Sequence, residues 1–309
     1  MCHFTPDYYK DFHCIAGSCR HSCCIGWEID VDPDMLCSYN SVPGPFGDRL
    51  RANISTEDAP HFILGDGERC PFLNSENLCD IILTLGEDHI CEICSEHPRF
   101  HNQLPNRAES GLGLCCEEAG RLILSKTDPV QLVSDGPETE PDRLISLRNE
   151  AMALLQDRSR TLPARLDAML ALCDAVLPAR TMEDWCSFLL SLERLNETWT
   201  DLLNLLQTEW VNANLSGFDA HMHSRQTEYE QFAVYLLYRH LSQAVSPADF
   251  SARAAFVAWG YYLLHALGAV LWTKNGTFTF EDQVELARLF SSELEYSEEN
   301  MDLLLDELC

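Results

Sequence analysis

Lysine is almost missing from this sequence. Three occur in 309 residues, Lys10, Lys126 and Lys274, and the chain sets 21 basic against 49 acidic side chains, a formal net charge of −28. Without a basic stripe to neutralise phosphates, nucleic acid is not expected as a partner. The acidic excess favours solubility and attracts cationic groups. A basic start and an apolar run are both missing from Met1–Asp7, so no secretory leader is expected. Gly111-x-Gly113 is too short for a phosphate-cradling loop, and Gly65-Asp66-Gly67 reads as a turn. Internal repeats and low-complexity tracts are absent. Long uncharged runs are scarce as well. The run from Ala254 to Thr273 has no Lys, Arg, Asp or Glu, but it contains Gly260, Tyr261, Tyr262, His265 and Gly268. With no second span and no basic flank, it reads as a buried core helix, and no membrane partner is expected.

Cysteine, by contrast, is abundant and unevenly placed. Of 15 cysteines, 12 lie in the first 116 residues. Without export they belong in a reducing compartment, the cytoplasm, where clustered thiols serve as metal ligands or catalysts more than as disulfides. Cys173 and Cys186 fall on helical patterns and suit small buried thiols.

Composition divides the chain into a cysteine-rich metal-binding region at 1–125, a linker at 126–141 and a helical body at 142–309. The first region reads as short irregular elements, with Trp27, Ile29 and Val31 alternating against Glu28, Asp30 and Asp32 like a half-buried strand. So small a segment needs metal to supplement its core. Asp128-Pro129, Asp135-Gly136-Pro137 and Glu140-Pro141 mark the linker as turns and helix breakers. Beyond it a 3.6-residue period predicts about six or seven helices. One long helix is expected through Trp185, Leu192, Trp199 and Trp210, opened by Thr181 with Asp184. The expected fold class is therefore mainly α, a cysteine-rich head with a C-terminal helical bundle.

The head spacings are Cys14-x4-Cys19-x3-Cys23-Cys24, then Cys70-x8-Cys79-x11-Cys91-x2-Cys94, then Cys115-Cys116. Cys91 and Cys94 supply two thiolates from one tight turn; further ligands must come from distant segments, so metal binding would couple to folding. Zinc and iron–sulfur both accept four cysteines. The lack of a paired C-x2-C repeat and the surplus over one zinc's needs favour iron–sulfur. A radical-type C-x3-C-x2-C is not matched, because Gly26 stands where the third cysteine would follow Cys19 and Cys23.

These motifs resemble those of the flagellin lysine-N-methylase family. Phe12-His13-Cys14 and Cys23-Cys24-Ile25-Gly26-Trp27-Glu28-Ile29 are similar to its opening. Cys70-Pro71-Phe72-Leu73-Asn74, Leu78-Cys79-Asp80-Ile81, Leu85-Gly86-Glu87, Ile90-Cys91-Glu92-Ile93-Cys94 and His97-Pro98-Arg99 are similar to its centre, with His97 where an aromatic residue is usual. Leu114 to Leu122 resembles its closing motif, with Cys115 at a place more often serine. Glu230 to Arg239, Glu285 to Phe290 and Ser297 to Asn300 extend the likeness along the body. The head also resembles a broader group of cysteine-rich zinc- or iron-chelating domains.

The resemblance implies a cytoplasmic enzyme with a [4Fe–4S] cluster that moves methyl groups from S-adenosylmethionine to lysine side chains of flagellin. Its implied metal ligands are Cys14, Cys19, Cys23, Cys24, Cys70, Cys79, Cys91, Cys94 and Cys116, more than the four one cubane needs. No residue is assigned as catalytic, and none to the methyl donor. A conventional doubly wound methyltransferase would alternate strands and helices, which this body does not. Tyr229, Tyr235, Tyr238, Trp259, Tyr261 and Tyr262, with Glu228 and Glu230, could face a sulfonium or a lysine, but core packing is their plainer reading. His97, Arg99, His101, His221 and His223 read as polar loop residues. The rival function is a non-catalytic metal-binding protein: an iron–sulfur electron carrier or redox sensor, or an interaction module stabilised by zinc.

Overall fold

The computed structural model describes residues 2–136 and 142–309, so residues 137–141 of the expected linker lie outside the described residues. It is mainly α, as expected. The chain forms two compact units, residues 13–99 and residues 1–12 with 100–309.

The N-terminal strand β1 (Cys2–Pro6) belongs to the larger unit. The smaller unit follows with helices α1 (Pro33–Ser41) and α2 (Gly44–Ala52). A minimal hairpin of β2 (Ile54–Ser55) and β3 (His61–Phe62) comes next, then the short helices α3 (Asp80–Leu85) and α4 (Glu92–Glu96). Asp32 starts α1, its carboxylate accepting the Met35 N–H at 3.0 Å with Pro33 in the first turn. Its other oxygen accepts the Glu92 N–H at 2.9 Å, so one side chain holds the starts of α1 and α4 together. The core is small: Ile29, Val31, Tyr39, Leu50, Phe62, Phe72 and Ile81 around Cys70 and Cys91. Ile29 and Val31 face inward as their alternation predicts. However, residues 27–32 form no regular strand; Ile29 O and Pro60 O instead accept from Phe62 and Val31.

The chain re-enters the larger unit through β4 (Arg99–Gln103) and β5 (Arg107–Leu112), then α5 (Glu117–Leu124) and β6 (Leu132–Ser134). These strands form a four-stranded sheet in the order β4-β5-β1-β6. β1 runs parallel to β5, Cys2 opposite Arg107, and antiparallel to β6, Phe4 opposite Ser134. This pairing draws residues 1–12 and 100–136 into the unit that holds the body. The compact units therefore cut across the composition boundaries at 125 and 142. Non-local pairing has no local signal in composition, and short strands leave little periodicity to read.

Nine α-helices follow: α6 (Arg143–Leu155), α7 (Leu162–Leu172), α8 (Met182–Leu189), α9 (Glu197–Glu209), α10 (Leu215–Met222), α11 (Gln226–His240), α12 (Pro247–Asn275), α13 (Phe280–Phe290) and α14 (Glu298–Glu307). The period suggested fewer. The helix expected through 185–210 is two, because Asn196 caps a new start by accepting the Thr198 N–H at 2.8 Å. Both halves face one core, which is why the apolar period runs on across the break. Thr181 and Asp184 do form the capping box. The uncharged run lies in α12, most of it buried. α11 is buried from Glu228 to His240, so its polar side chains need partners inside the unit.

Candidate metal centre and a buried polar network

Three loops bring thiols together in the smaller unit. The turn at 23–27 is pinned to the 68–70 segment: Cys70 N–H donates to Cys24 O at 2.9 Å and Gly26 N–H to Glu68 O at 3.1 Å. Gly26 adopts φ +92°, a conformation costly for other residues. Residues 70–80 fold back on themselves, Asp80 N–H reaching Phe72 O at 2.8 Å while Asn74 Oδ1 accepts from Glu76 and Leu78. Cys79 is thereby returned towards Cys70 and stands directly before α3. Cys91 stands directly before α4, with Cys94 N–H donating to its carbonyl at 2.9 Å. Tyr39 is fully buried; its hydroxyl donates to His89 O at 2.7 Å and lies 3.6 Å from Cys91 Sγ.

Cys24, Cys70, Cys79, Cys91 and Cys94 all pack in this one core. Their charges also act on one another. Burial, then the neighbouring Cys24 and Cys79, pushes the Cys70 thiol up to about 12. Burial raises Cys79 as well. Cys94 is raised by its hydrogen bond to Cys91 first and by burial second. That same bond lowers Cys91. Cys24 falls to about 7, mainly through its hydrogen bond with Cys23. Five thiols crowded into an apolar pocket resist joint ionisation, and a bound cation would remove that resistance.

The remaining sequence-derived ligands lie elsewhere. Cys14 and Cys23 are exposed and Cys19 is half-buried; none of the three is part of the apolar core. Cys116 belongs to the larger unit, directly before α5. Among the described residues, no three Cys, His, Asp or Glu side chains already stand close enough together to hold an ion. Cys173 and Cys186 are buried among apolar side chains, as expected. Trp27 donates its indole N–H to Cys23 O at 2.6 Å and packs at the edge of the thiol core.

The larger unit contains a polar network that the sequence did not announce. A π-helical turn, Ser291–Glu295, carries Glu295 into the interior. Its carboxylate accepts from Tyr235 Oη at 3.0 Å and from His240 Nε2 at 2.6 Å, with Arg239 Nε at 3.5 Å. Tyr235 in turn accepts from Arg239 Nη1 at 2.8 Å and from Leu114 N–H at 3.2 Å, tying the loop before Cys115 and Cys116 to α11. Burial opposes charge on Glu295, but Arg239 and the His240 bond outweigh it and hold the carboxyl at about 2. Burial lowers His240, so the imidazole is neutral and donates. Cys115 is raised to about 12 by burial. The only sequence signal for this network was the run of polar residues in an otherwise buried helix.

The other body residues singled out from the sequence separate into distinct environments. Glu228 is paired with Arg225 at 2.7 Å, and Glu230 with Arg158 at 2.8 Å and Arg165 at 2.6 Å. Tyr229 meets Tyr261 at 5.5 Å between ring centres, while Tyr238 donates to Phe4 O and Ser110 O. His101 and His3 both contact the Ser110 hydroxyl, at 2.6 and 2.7 Å.

Residues 179–308 match the family described as the FliB lysine N-methylase C-terminal domain. A lysine-N-methylase of Salmonella typhimurium is 29% identical over 141 residues, covering 41% of this chain and 33% of that protein. The lysine-N-methylase of Salmonella choleraesuis matches to the same extent. The flagellar biosynthetic protein FliU of Salmonella muenchen is 28% identical over 134 residues, 41% of this chain and 79% of that protein. The chain thus spans about a third of the length of the two lysine-N-methylases it matches. No solved structure matches it. The likeness to that family is thus carried by the C-terminal part of the chain, residues 179–308.

Proposed function

We propose that the protein is a cytoplasmic methyltransferase that moves methyl groups from S-adenosylmethionine to lysine side chains of flagellin, with a [4Fe–4S] cluster in its smaller unit. The observation that carries the cluster is the gathering of Cys24, Cys70, Cys79, Cys91 and Cys94 in one core from three loops. Thiolates are the donor type such a cluster takes, and four of these five are enough. Bound there, the cluster would cross-link loops that otherwise rest on a small apolar core.

The names of the relatives, lysine-N-methylase and flagellar biosynthetic protein, support the methylation and the flagellar substrate. In the reaction the lysine nitrogen forms a bond to the methyl carbon as the carbon–sulfur bond breaks. The sulfur keeps the electron pair as a neutral thioether, and the amine must shed a proton to attack. A free lysine amine titrates near 10.4, so orientation and a dry setting matter more than basicity alone. The acidic surface suits a cationic side chain as substrate.

The test begins with iron, zinc and acid-labile sulfide on protein purified without oxygen. About four iron and four sulfide per chain supports the cluster. Flagellin is then incubated with labelled S-adenosylmethionine and the cluster-loaded protein. Label on lysine supports the enzyme; an intact cluster with no label on lysine overturns it in favour of a non-catalytic iron–sulfur protein. Stoichiometric zinc without sulfide overturns the cluster and favours a zinc-stabilised module.

A further inference from the structure

α10 and α12 bring an acid and an imidazole together at the surface of the larger unit. Asp219 Oδ1 and His265 Nε2 lie 2.8 Å apart, with the Asp219 side chain 60% exposed and that of His265 17%. His265 Nδ1 takes part in no hydrogen bond. Three aromatic rings surround the imidazole: Phe218 of α10 at 5.2 Å, Tyr229 of α11 at 5.7 Å and Tyr261 of α12 at 5.9 Å between ring centres. Tyr262, packed on Tyr261 at 5.0 Å, is exposed beside them. The Tyr229 hydroxyl is buried yet has no hydrogen-bond partner. It lies against Gly268 of α12, where a Cβ would stand 3.2 Å from it. All of these residues fall within 179–308, the part of the chain that matches the lysine N-methylase C-terminal domain.

We infer that His265 is the base that takes the proton from the substrate lysine, with Asp219 as its positioning residue. The inference rests on the proposed methylation of lysine. Asp219 accepts from the Nε2–H, which fixes the tautomer that leaves a lone pair on Nδ1, the nitrogen without a partner. An ammonium at Nδ1 meets aromatic rings and the nearby carboxylate, both of which attract a cation. Tyr229 Oη offers it an acceptor that nothing else uses. The proton passes from the ammonium to Nδ1, and the freed nitrogen lone pair bonds to the methyl carbon as the carbon–sulfur bond breaks and sulfur keeps its electron pair. The imidazolium, held by Asp219, then gives the proton to water. The neighbouring tyrosines do not serve as the base: burial first, with Asp219 among the nearby charges, raises both Tyr229 and Tyr261, so their hydroxyls stay protonated. Glu228 and Glu230 are already engaged by Arg225, Arg158 and Arg165.

The test compares rates at two pH values. Full-length protein, purified without oxygen, is incubated with flagellin and labelled S-adenosylmethionine at about pH 7 and about pH 9.5. His265→Gln should transfer label about 100-fold more slowly than wild type at the lower pH. The deficit should narrow to about tenfold or less at the higher pH, because a lysine amine that titrates near 10.4 then sheds its proton unaided. Asp219→Asn should be about tenfold slower at the lower pH with the same narrowing, and Asp219→Glu should recover part of the rate. Thermal midpoints at the wild-type value show that the variants keep the fold. A His265→Gln rate within twofold of wild type, or a loss equal at both pH values, would overturn the base while leaving the methylation in place. A wild-type chain that puts no label on lysine would overturn the methylation itself, and the base with it.

Discussion

Glu295 and His240 face each other across 2.6 Å inside the larger unit, one on a π-helical turn and the other at the end of a helix buried from Glu228 onward. Glu295 is ionised and His240 neutral. Arg239 on the same helix carries the compensating charge. A buried carboxylate persists only with such partners, and truncating one member of a buried ion pair costs about 3–5 kcal/mol.

The pair makes stability depend on pH with a definite sign. His240 is lowered in the folded state, so on acidification the unfolded chain takes up that proton first and stability falls below about pH 6.5. Glu295 is lowered from the ordinary 4.5 to about 2, so its contribution is complete above 4.5 and is lost as pH falls towards 2. Urea unfolding from pH 7 to pH 4 should show a steady loss. Glu295→Gln should be less stable at pH 7 by about 3 kcal/mol and should lose less between pH 5 and 4. An unchanged slope in that variant would assign the acid sensitivity elsewhere.

Glu109 poses a related case with two cations. On β5 it accepts from Arg148 at 2.6 Å and lies 2.9 Å from Arg107, with its side chain and that of Arg148 fully buried. Glu109→Gln removes the buried carboxylate charge that both guanidiniums face, on the strand that pairs with β1. We expect a loss of about 3–5 kcal/mol. Amide exchange should locate it, with protection lost at Cys2–Pro6 as well as at residues 107–112.

Gly47 is required by a close approach in the smaller unit. A Cβ there would lie 1.9 Å from the Val42 carbonyl oxygen, a backbone atom at the end of α1 that has no rotamer to change. Arg51 occupies the same corner, donating to the carbonyls of Tyr39, Asn40 and Val42. Gly47→Ala should therefore destabilise this unit by about 3 kcal/mol, the upper end for overpacking. Thermal unfolding followed by near-ultraviolet dichroism would register it.

These features differ in how far the sequence foretold them. The cap at Thr181 follows from local chemistry and stands where the sequence put it, whereas Asp32, read from the sequence as part of a strand pattern, caps α1. The uncharged run became a core helix because its length and composition left few other roles. The sheet was not legible, since β1 pairs with β5 across more than a hundred residues and a three-residue register leaves no period to detect. Nor was the network on Glu295, which depends on a π-helical turn at the end of α13. The cysteines lie between these extremes. The family resemblance marked nine as a set, but only folding distinguishes the five that share a core from Cys14, Cys19 and Cys23 outside it and Cys116 in the other unit.

That distinction yields the sharpest prediction. If the five core thiols hold the metal, then Cys91→Ser with Cys94→Ser should remove it and destabilise the smaller unit, because the lost ligands contribute to folding. At least two of Cys24→Ser, Cys70→Ser and Cys79→Ser should lower iron and sulfide per chain, since a four-ligand cluster can dispense with one of the five. Cys14→Ser should keep its metal, since that thiol is exposed and outside the core. Cys173→Ser and Cys186→Ser should keep theirs too, losing only packing in the larger unit. Iron and sulfide assays on protein prepared without oxygen decide each case. Full metal content in the Cys91, Cys94 double variant would place the centre elsewhere, and loss of metal in Cys14→Ser would draw the exposed 13–24 segment into it.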